Sequence, residues 1–197
     1  MAALLTDRFR QALVFAFDLH ARQARKGSGV PYFSHLMGVA ALVLEDGGGE
    51  DEAISALLHD AVEDQGGRQT LETIRQRFGE RVAAIVLACS DTDQSPKPPW
   101  RERKLASLAH LREADPAVLR VSLADKIHNG RELLLLHSRY GPELWQRFRG
   151  GREGTLWYYR ELLDIFRARR SDPLVDELER LVRELERRVE AERPPAG

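Results

Sequence analysis

Four residues in the stretch Ile54-Ser55-Ala56-Leu57-Leu58-His59-Asp60-Ala61-Val62-Glu63-Asp64 could act together chemically: His59, Asp60, Glu63 and Asp64. On a helix turning roughly 100° per residue, Ile54, Leu57, Leu58, Ala61 and Val62 share an apolar arc. The four polar residues share the opposite arc, with only Ala56 among them. A solvated helix face ordinarily mixes lysine, arginine, glutamine and glutamate. This one concentrates an imidazole and three carboxylates with no cation between them, and like charges so close disfavour the helix. A divalent cation reverses that penalty, because imidazole and carboxylate are its normal ligands and its charge makes neighbouring carboxylates favourable. The competing reading is an acidic surface face that happens to hold a histidine.

The elements that must position these groups can be read from periodicity and punctuation. A helix is expected from about Thr6 to Lys26, with Phe9, Ala12, Leu13, Ala16 and Phe17 on its buried face. Arg22, Arg25 and Lys26 fall at its end before Gly27-Ser28-Gly29-Val30-Pro31 breaks it. Two readings stand for these cations: complements of a helix C-terminus, or contacts to a phosphate or nucleobase across a flexible turn. Ser34 is placed to cap a second helix running to about Glu45, which makes His35 its first residue. A lone histidine there reads first as structural. Gly47-Gly48-Gly49 then separates this helix from the central one.

Farther on, Thr70 is expected to cap a helix through Phe78, and a buried helix spans about Glu80 to Cys89. Prolines and small polar residues make Ser90 to Pro99 a loop, in which Lys97, with Arg101, Arg103 and Lys104 after it, could form a second cationic patch. Pro116 suits the start of a long helix reaching about His137. Within it Asp125 and Asn129 lie one turn apart with Lys126 adjacent, polar groups that need partners in so apolar a helix. Gly141-Pro142 marks a short helix, Leu156-Trp157-Tyr158-Tyr159 opens one to about Arg169, and a last amphipathic helix runs from Pro173 to about Glu190. That last helix could pack on the domain or on its own copy in a homodimer. The tail Arg193 to Gly197 is expected to be disordered.

Composition narrows the setting. A chain of 197 residues that is 43% hydrophobic supports one core, and no strand pattern, internal repeat or glycine-rich phosphate motif is evident. With Lys+Arg 30 against Asp+Glu 31, the net charge of −1 gives no global field for nucleic acid or a membrane surface, so an anionic ligand must be met locally. The single cysteine, Cys89, reads as a buried thiol and fits a reducing cytoplasm. No run approaches the roughly 18 apolar residues of a membrane span, and a soluble cytoplasmic protein is expected.

Taken in order, His35, His59-Asp60 and Asp125 resemble the HD superfamily of metal-dependent phosphohydrolases. The match extends to His20, Gln23, Arg25-Lys26, Pro31-Tyr32, Glu63-Asp64, Phe78-Gly79 and Ala124-Asp125-Lys126-Ile127-His128-Asn129. These are similar to the hydrolase domain of RelA/SpoT-type alarmone enzymes, above all the small stand-alone members. The resemblance implies an all-α helical bundle over residues 1–170, followed by the amphipathic helix and tail of 171–197. It implies His35, His59, Asp60 and Asp125 as ligands of one divalent ion, Mn2+ in this family, and Glu63 and Asp64 as the catalytic carboxylates. Arg25, Lys26 and Asn129 become substrate contacts. Leu36 and Gln65 depart from the Pro and Thr common in the family, and the turn between Lys26 and Pro31 is one residue longer.

The activity so implied is removal of the 3′-pyrophosphate of guanosine tetra- or pentaphosphate. Two rivals remain: a phosphatase for another nucleotide such as NADPH or a nucleoside monophosphate, and a regulatory nucleotide-binding module without turnover. The intact Glu63-Asp64 pair argues against the last. His128 and the run Trp157-Tyr158-Tyr159 read as packing, His20 as support for the site or as structural, and His110 and His137 have no assigned role.

Overall fold

The computed structural model describes residues 5–90 and 98–192. Among these residues the chain is all-α, as expected, with one isolated antiparallel bridge between Ala24 and Pro31. Helix α1 (Asp7–His20) starts where the Thr6 hydroxyl oxygen accepts from the Arg8 amide. Helices α2 (Phe33–Glu45) and α3 (Glu50–Leu58) follow, then the single turn α4 (Ala61–Asp64), α5 (Gly67–Phe78) and α6 (Glu80–Cys89). The second half comprises α7 (Trp100–Glu113), α8 (Pro116–Tyr140), a 3₁₀ helix (Gly141–Arg147), α9 (Gly151–Arg169) and α10 (Pro173–Ala191). Helix α8 is the spine, packed by α2, α3, α6 and α10. Its start is fixed by Pro116 at the first helical position and by Asp115, which accepts from the Ala117 amide at 2.8 Å. No helix among the described residues is long and apolar enough to cross a membrane.

Several boundaries differ from the periodic expectation, each for a local reason. The first helix stops at His20 and not near Lys26, because residues 23–32 pair with one another in a tight turn. Arg25 N–H donates to the Val30 carbonyl, Gly29 N–H to that of Arg25, and Tyr32 N–H to that of Gln23, all at 2.9 Å. Gly29 sits at φ +74°, a conformation its missing Cβ makes cheap. Ser34 does not cap α2: its hydroxyl donates to the Pro31 carbonyl, and the helix begins two residues earlier, at Phe33, which puts His35 third. Thr70 lies inside α5 and bonds back to the Gln65 carbonyl. Phe17, expected on the buried face of α1, is exposed and meets Phe33 edge-on.

The expected continuous helix over 54–64 is broken at His59-Asp60. In an unbroken helix the Ala56 carbonyl would accept from the Asp60 amide; here it accepts from His59 Nδ1 at 2.8 Å. Helix α7 was not anticipated, since Leu108 and Leu111 are its only buried apolar residues and its apolar pattern is faint. The expected loop from Ser90 to Pro99, with Lys97, falls largely outside the described residues, as does the tail from Arg193.

Helix α10 lies on α8 and α9 through the stripe Leu174, Leu178, Leu181, Leu185 and Val189, all buried. Asp172 caps it, accepting from the Leu174 and Val175 amides. Beyond its last turn the Glu192 carboxylate, 8% exposed, receives His137 Nε2 from α8 and Trp145 Nε1 from the 3₁₀ helix, the latter at 3.2 Å to each oxygen. Replacing Glu192 with alanine leaves two buried donors without an acceptor, which should cost about 2 kcal/mol or more. For a chain of this size that lowers the melting temperature by about 4–8 °C. Thermal unfolding of Glu192→Ala checks it, and an unchanged melting temperature would show the clasp to be ornamental.

Candidate metal centre

Three elements deliver the polar groups that the sequence analysis singled out. Helix α2 supplies His35, the α3–α4 junction supplies His59 and Asp60, and α8 supplies Asp125. Both imidazoles are sealed from solvent, His35 1% and His59 2% exposed. Ligand-competent atoms of His35, His59 and Asp125 lie within 4.8 Å of one another. Asp60 closes on the same two rings, its Oδ2 standing 3.0 Å from His59 Nε2 and 3.7 Å from His35 Nε2. Asp125 Oδ1 is 3.2 and 3.6 Å from the His35 and His59 Nε2 atoms. Despite this proximity neither Nε2 makes a hydrogen bond. Two imidazole nitrogens and the Asp125 carboxylate therefore form a compact cluster that could hold a divalent cation through mixed nitrogen and oxygen ligands, with Asp60 adjacent to both rings.

The groups behind these atoms hold them in place. His59 Nδ1 is bound to the Ala56 carbonyl, an obligate acceptor, so Nδ1 carries a hydrogen and Nε2 is the atom that can ligate. Asp60 Oδ2 accepts from the Tyr32 hydroxyl at 2.5 Å, and Tyr32 in turn stacks on His20. Asp125 accepts from Asn129 Nδ2 on one oxygen and from Lys126 Nζ on the other, both at 2.5 Å. Burial favours the neutral acid at Asp125, yet Lys126 and the two histidines outweigh it and hold its carboxyl well below the usual range. Burial likewise opposes a charge on His59, but Asp60 and Asp125 overcome it and hold that imidazole well above the usual histidine range. At His35 burial wins, and its pKa is lowered.

Glu63 and Asp64 lie on α4, one turn beyond Asp60, whose carbonyl accepts from the Asp64 amide at 3.0 Å. Glu63 is half-buried and Asp64 exposed. Asp64 Oδ2 accepts from Gln23 Nε2 at 2.7 Å, while Gln23 Oε1 meets Gln65 Nε2 and His20 Nδ1. His20 is thus tied into the site through Gln23. Of the expected substrate contacts, Arg25 and Asn129 are brought together: Asn129 Oδ1 accepts from Arg25 Nη2 at 2.7 Å while its amide nitrogen donates to Asp125. Lys26 points outward and is exposed. Arg25 is held by Glu132, which also accepts from Ser28, and its guanidinium lies over the Tyr32 ring. Arg25 is therefore placed by the turn and not by a helix C-terminus.

Beside Arg25, Asn129 and Glu132 opens a cavity of about 190 Å³ whose far walls are aromatic, including Trp100, Phe148 and Tyr158. Lys104 lies over Tyr158 at 5.0 Å, and Arg101 over Trp157 at 4.3 Å. Tyr158 and Tyr159, read from sequence as packing, are buried and also form part of this wall. Three further residues escaped the sequence reading. Glu132 and Ser28 anchor Arg25, and His128, read as packing, places its Nδ1 2.9 Å from Nδ1 of His35. The signal for Glu132 and His128 was their spacing: 125, 128, 129 and 132 form one polar stripe along an otherwise apolar helix. Cys89 is half-buried, and burial pushes its thiol up to about 11, which leaves little thiolate at neutral pH.

Fold and cluster together define the class: residues 12–156 match the HD domain family, and the chain belongs to it. It is 37% identical over 142 residues to the guanosine-3′,5′-bis(diphosphate) 3′-pyrophosphohydrolase of Xenopus tropicalis, covering 71% of this chain and 74% of that one. The bifunctional (p)ppGpp synthase/hydrolase SpoT of Escherichia coli K12 is 36% identical over 132 residues, which span 64% of this chain and 18% of that enzyme. Among solved structures, a metazoan orthologue of SpoT described as hydrolysing ppGpp aligns with a TM-score of 0.76 over 93% of this chain and 98% of its own. At 24% identity that likeness is one of fold.

A cation and a proton compete for the same spot. Asp60 and Asp125 favour the protonated form of His59, while burial favours the neutral form of His35, so binding of a divalent ion should expel a proton from His59. Calorimetric titration of metal-free protein with Mn2+ in two buffers of different ionisation enthalpy counts that proton. Affinity should also fall as pH is lowered, since protons then hold His59 more tightly. A proton count of zero would mean that His59 is already neutral and that the carboxylates act on something else.

Proposed function

We propose that the chain is a metal-dependent phosphohydrolase that removes the 3′-pyrophosphate of guanosine tetra- or pentaphosphate, with Mn2+ as its ion. The observation that carries this reading is the convergence of two buried imidazole nitrogens and two carboxylates next to a turn that presents Arg25 beside Asn129. Relatives at 34–37% identity bearing that activity in their names support the substrate. His35, His59, Asp60 and Asp125 would hold the ion. When bound, the ion supplies positive charge to a phosphoryl oxygen and acidifies water towards neutrality.

The chain's own residues do the rest. Glu63 and Asp64 accept the proton of the attacking water as its oxygen adds to the 3′ phosphorus and the bond to the 3′ oxygen breaks. Gln23 orients Asp64 by donating to one of its oxygens, which leaves the other to receive a proton. Arg25 meets the nucleotide as an oriented donor more than as free charge, because Glu132 already balances it. Lys26 adds charge at the rim. Asn129 joins the two ends of the site, since one amide touches both Asp125 and Arg25. The aromatic cavity beside Arg25 suits the flat base of the nucleotide.

Turnover in the presence of Mn2+ should be highest with guanosine 3′,5′-bis(diphosphate), releasing pyrophosphate, when it is compared with NADPH and nucleoside monophosphates. Preference for either rival class overturns the substrate, and turnover of none supports a regulatory module. Glu63→Gln with Asp64→Asn should retain stoichiometric metal and melting temperature while losing about a hundredfold or more in kcat. Survival of turnover in that variant would leave the ion alone to activate water.

Arg25→Ala should raise KM about tenfold or more, as expected for loss of a charge-assisted contact of about 1.5–3 kcal/mol, and should leave metal content intact. Lys26→Ala, at an exposed position, should do less. Equal effects of the two would show that net charge, and not the orientation imposed by Glu132, is what the nucleotide senses.

A further inference from the structure

His128 touches one member of the metal cluster and does so from behind. Its Nδ1 lies 2.9 Å from Nδ1 of His35, and the two rings meet edge to face with centroids 4.8 Å apart. Between two imidazole nitrogens only one can donate, so the question is where the His35 hydrogen resides. On Nε2 its nearest acceptor would be Asp125 Oδ1 at 3.2 Å, and the geometry there makes no hydrogen bond to that buried atom. On Nδ1 it has the bare Nδ1 of His128 to receive it. A buried donor left unsatisfied is costly, so the hydrogen belongs on Nδ1 and the lone pair of Nε2 faces His59 and the carboxylates.

A second feature keeps His128 in that position. Gly38 stands one turn after His35 on α2, and a Cβ built there would lie 2.3 Å from both Cδ2 and Nε2 of His128. The ring therefore occupies space that any other residue at 38 would fill. This is a close approach between helices α2 and α8, and it sets the ring at the height of His35.

We propose that His128 is a positioning residue: seated against Gly38, it accepts from His35 Nδ1 and so fixes the tautomer and ring orientation with which His35 Nε2 meets the cation. His128 is not itself a ligand. The inference rests on the reading of His35 as a ligand, and the test separates the two.

Metal-free full-length protein and its variants are titrated with Mn2+ by calorimetry, with melting temperature and steady-state kinetics taken on the same preparations. His128→Phe fills the space against Gly38 without an acceptor and should weaken Mn2+ affinity about 10–100-fold. KM for the nucleotide at saturating Mn2+ should stay unchanged. His128→Gln offers an amide oxygen to His35 Nδ1 and should recover most of the affinity, whereas a purely steric role would not distinguish glutamine from phenylalanine. Gly38→Ala, by displacing the ring, should weaken affinity in the same direction. If His128→Phe loses its melting transition, His128→Leu is read in its place. Affinity within twofold of wild type in a folded His128→Phe, or equal loss in the phenylalanine and glutamine variants, overturns the proposal. Unchanged affinity in His35→Ala overturns the ligand assignment itself, whatever His128 does.

Discussion

One carboxylate and two imidazoles are withdrawn from water, with a second carboxylate half-buried beside them, where α2, the α3–α4 junction and α8 meet, and the surrounding structure is shaped by the need to compensate them. Taking a carboxylate out of water costs several kcal/mol unless charge or donors replace the solvent. Asp125 has Lys126 and Asn129, and Asp60 has the Tyr32 hydroxyl. What remains uncompensated is the set of atoms directed inward, including both Nε2 atoms. A divalent ion would satisfy them at once. The helices must therefore be rigid here, and the core around the cluster is correspondingly built from large fully buried residues such as Leu36, Leu57, Leu58 and Ile127.

The cluster does not end at its own boundary. From Asp125 the contacts run through Asn129 to Arg25, and from Arg25 to Glu132 and Ser28. A single helix, α8, carries Asp125, His128, Asn129 and Glu132 at intervals that keep them on one side. One helix thus sets the distance between the place where a cation would sit and the place where a nucleotide would be gripped. The turn 23–32 closes against that helix, and its internal pairing explains why a polar, glycine-rich segment holds Arg25 with little freedom.

How much of this was legible in the sequence depends on the range of the interaction involved. The all-α class and the runs of α2, α6, α8 and α10 follow from local periodicity, and their buried faces agree with it. The convergence of His35, His59-Asp60 and Asp125 needed the ordered resemblance, because nothing in the surroundings of a lone His35 distinguishes it from a packing histidine. Boundaries failed where side chains compete with the backbone: His59 takes the carbonyl that would have continued its helix. Helix α7 failed because its apolar pattern is too sparse. The roles of His128 and Glu132 were hidden because their partners are 93 and 107 residues away, and no local pattern encodes such a pair.

The clasp at the end of α10 sets an order of assembly during synthesis. Every residue of the cation cluster, from His35 to Asp125, is made before the last helix begins at Pro173. The far wall of the aromatic cavity follows a 3₁₀ segment whose Trp145 is held by Glu192. The residues proposed to hold a cation are thus translated before the one that secures this wall.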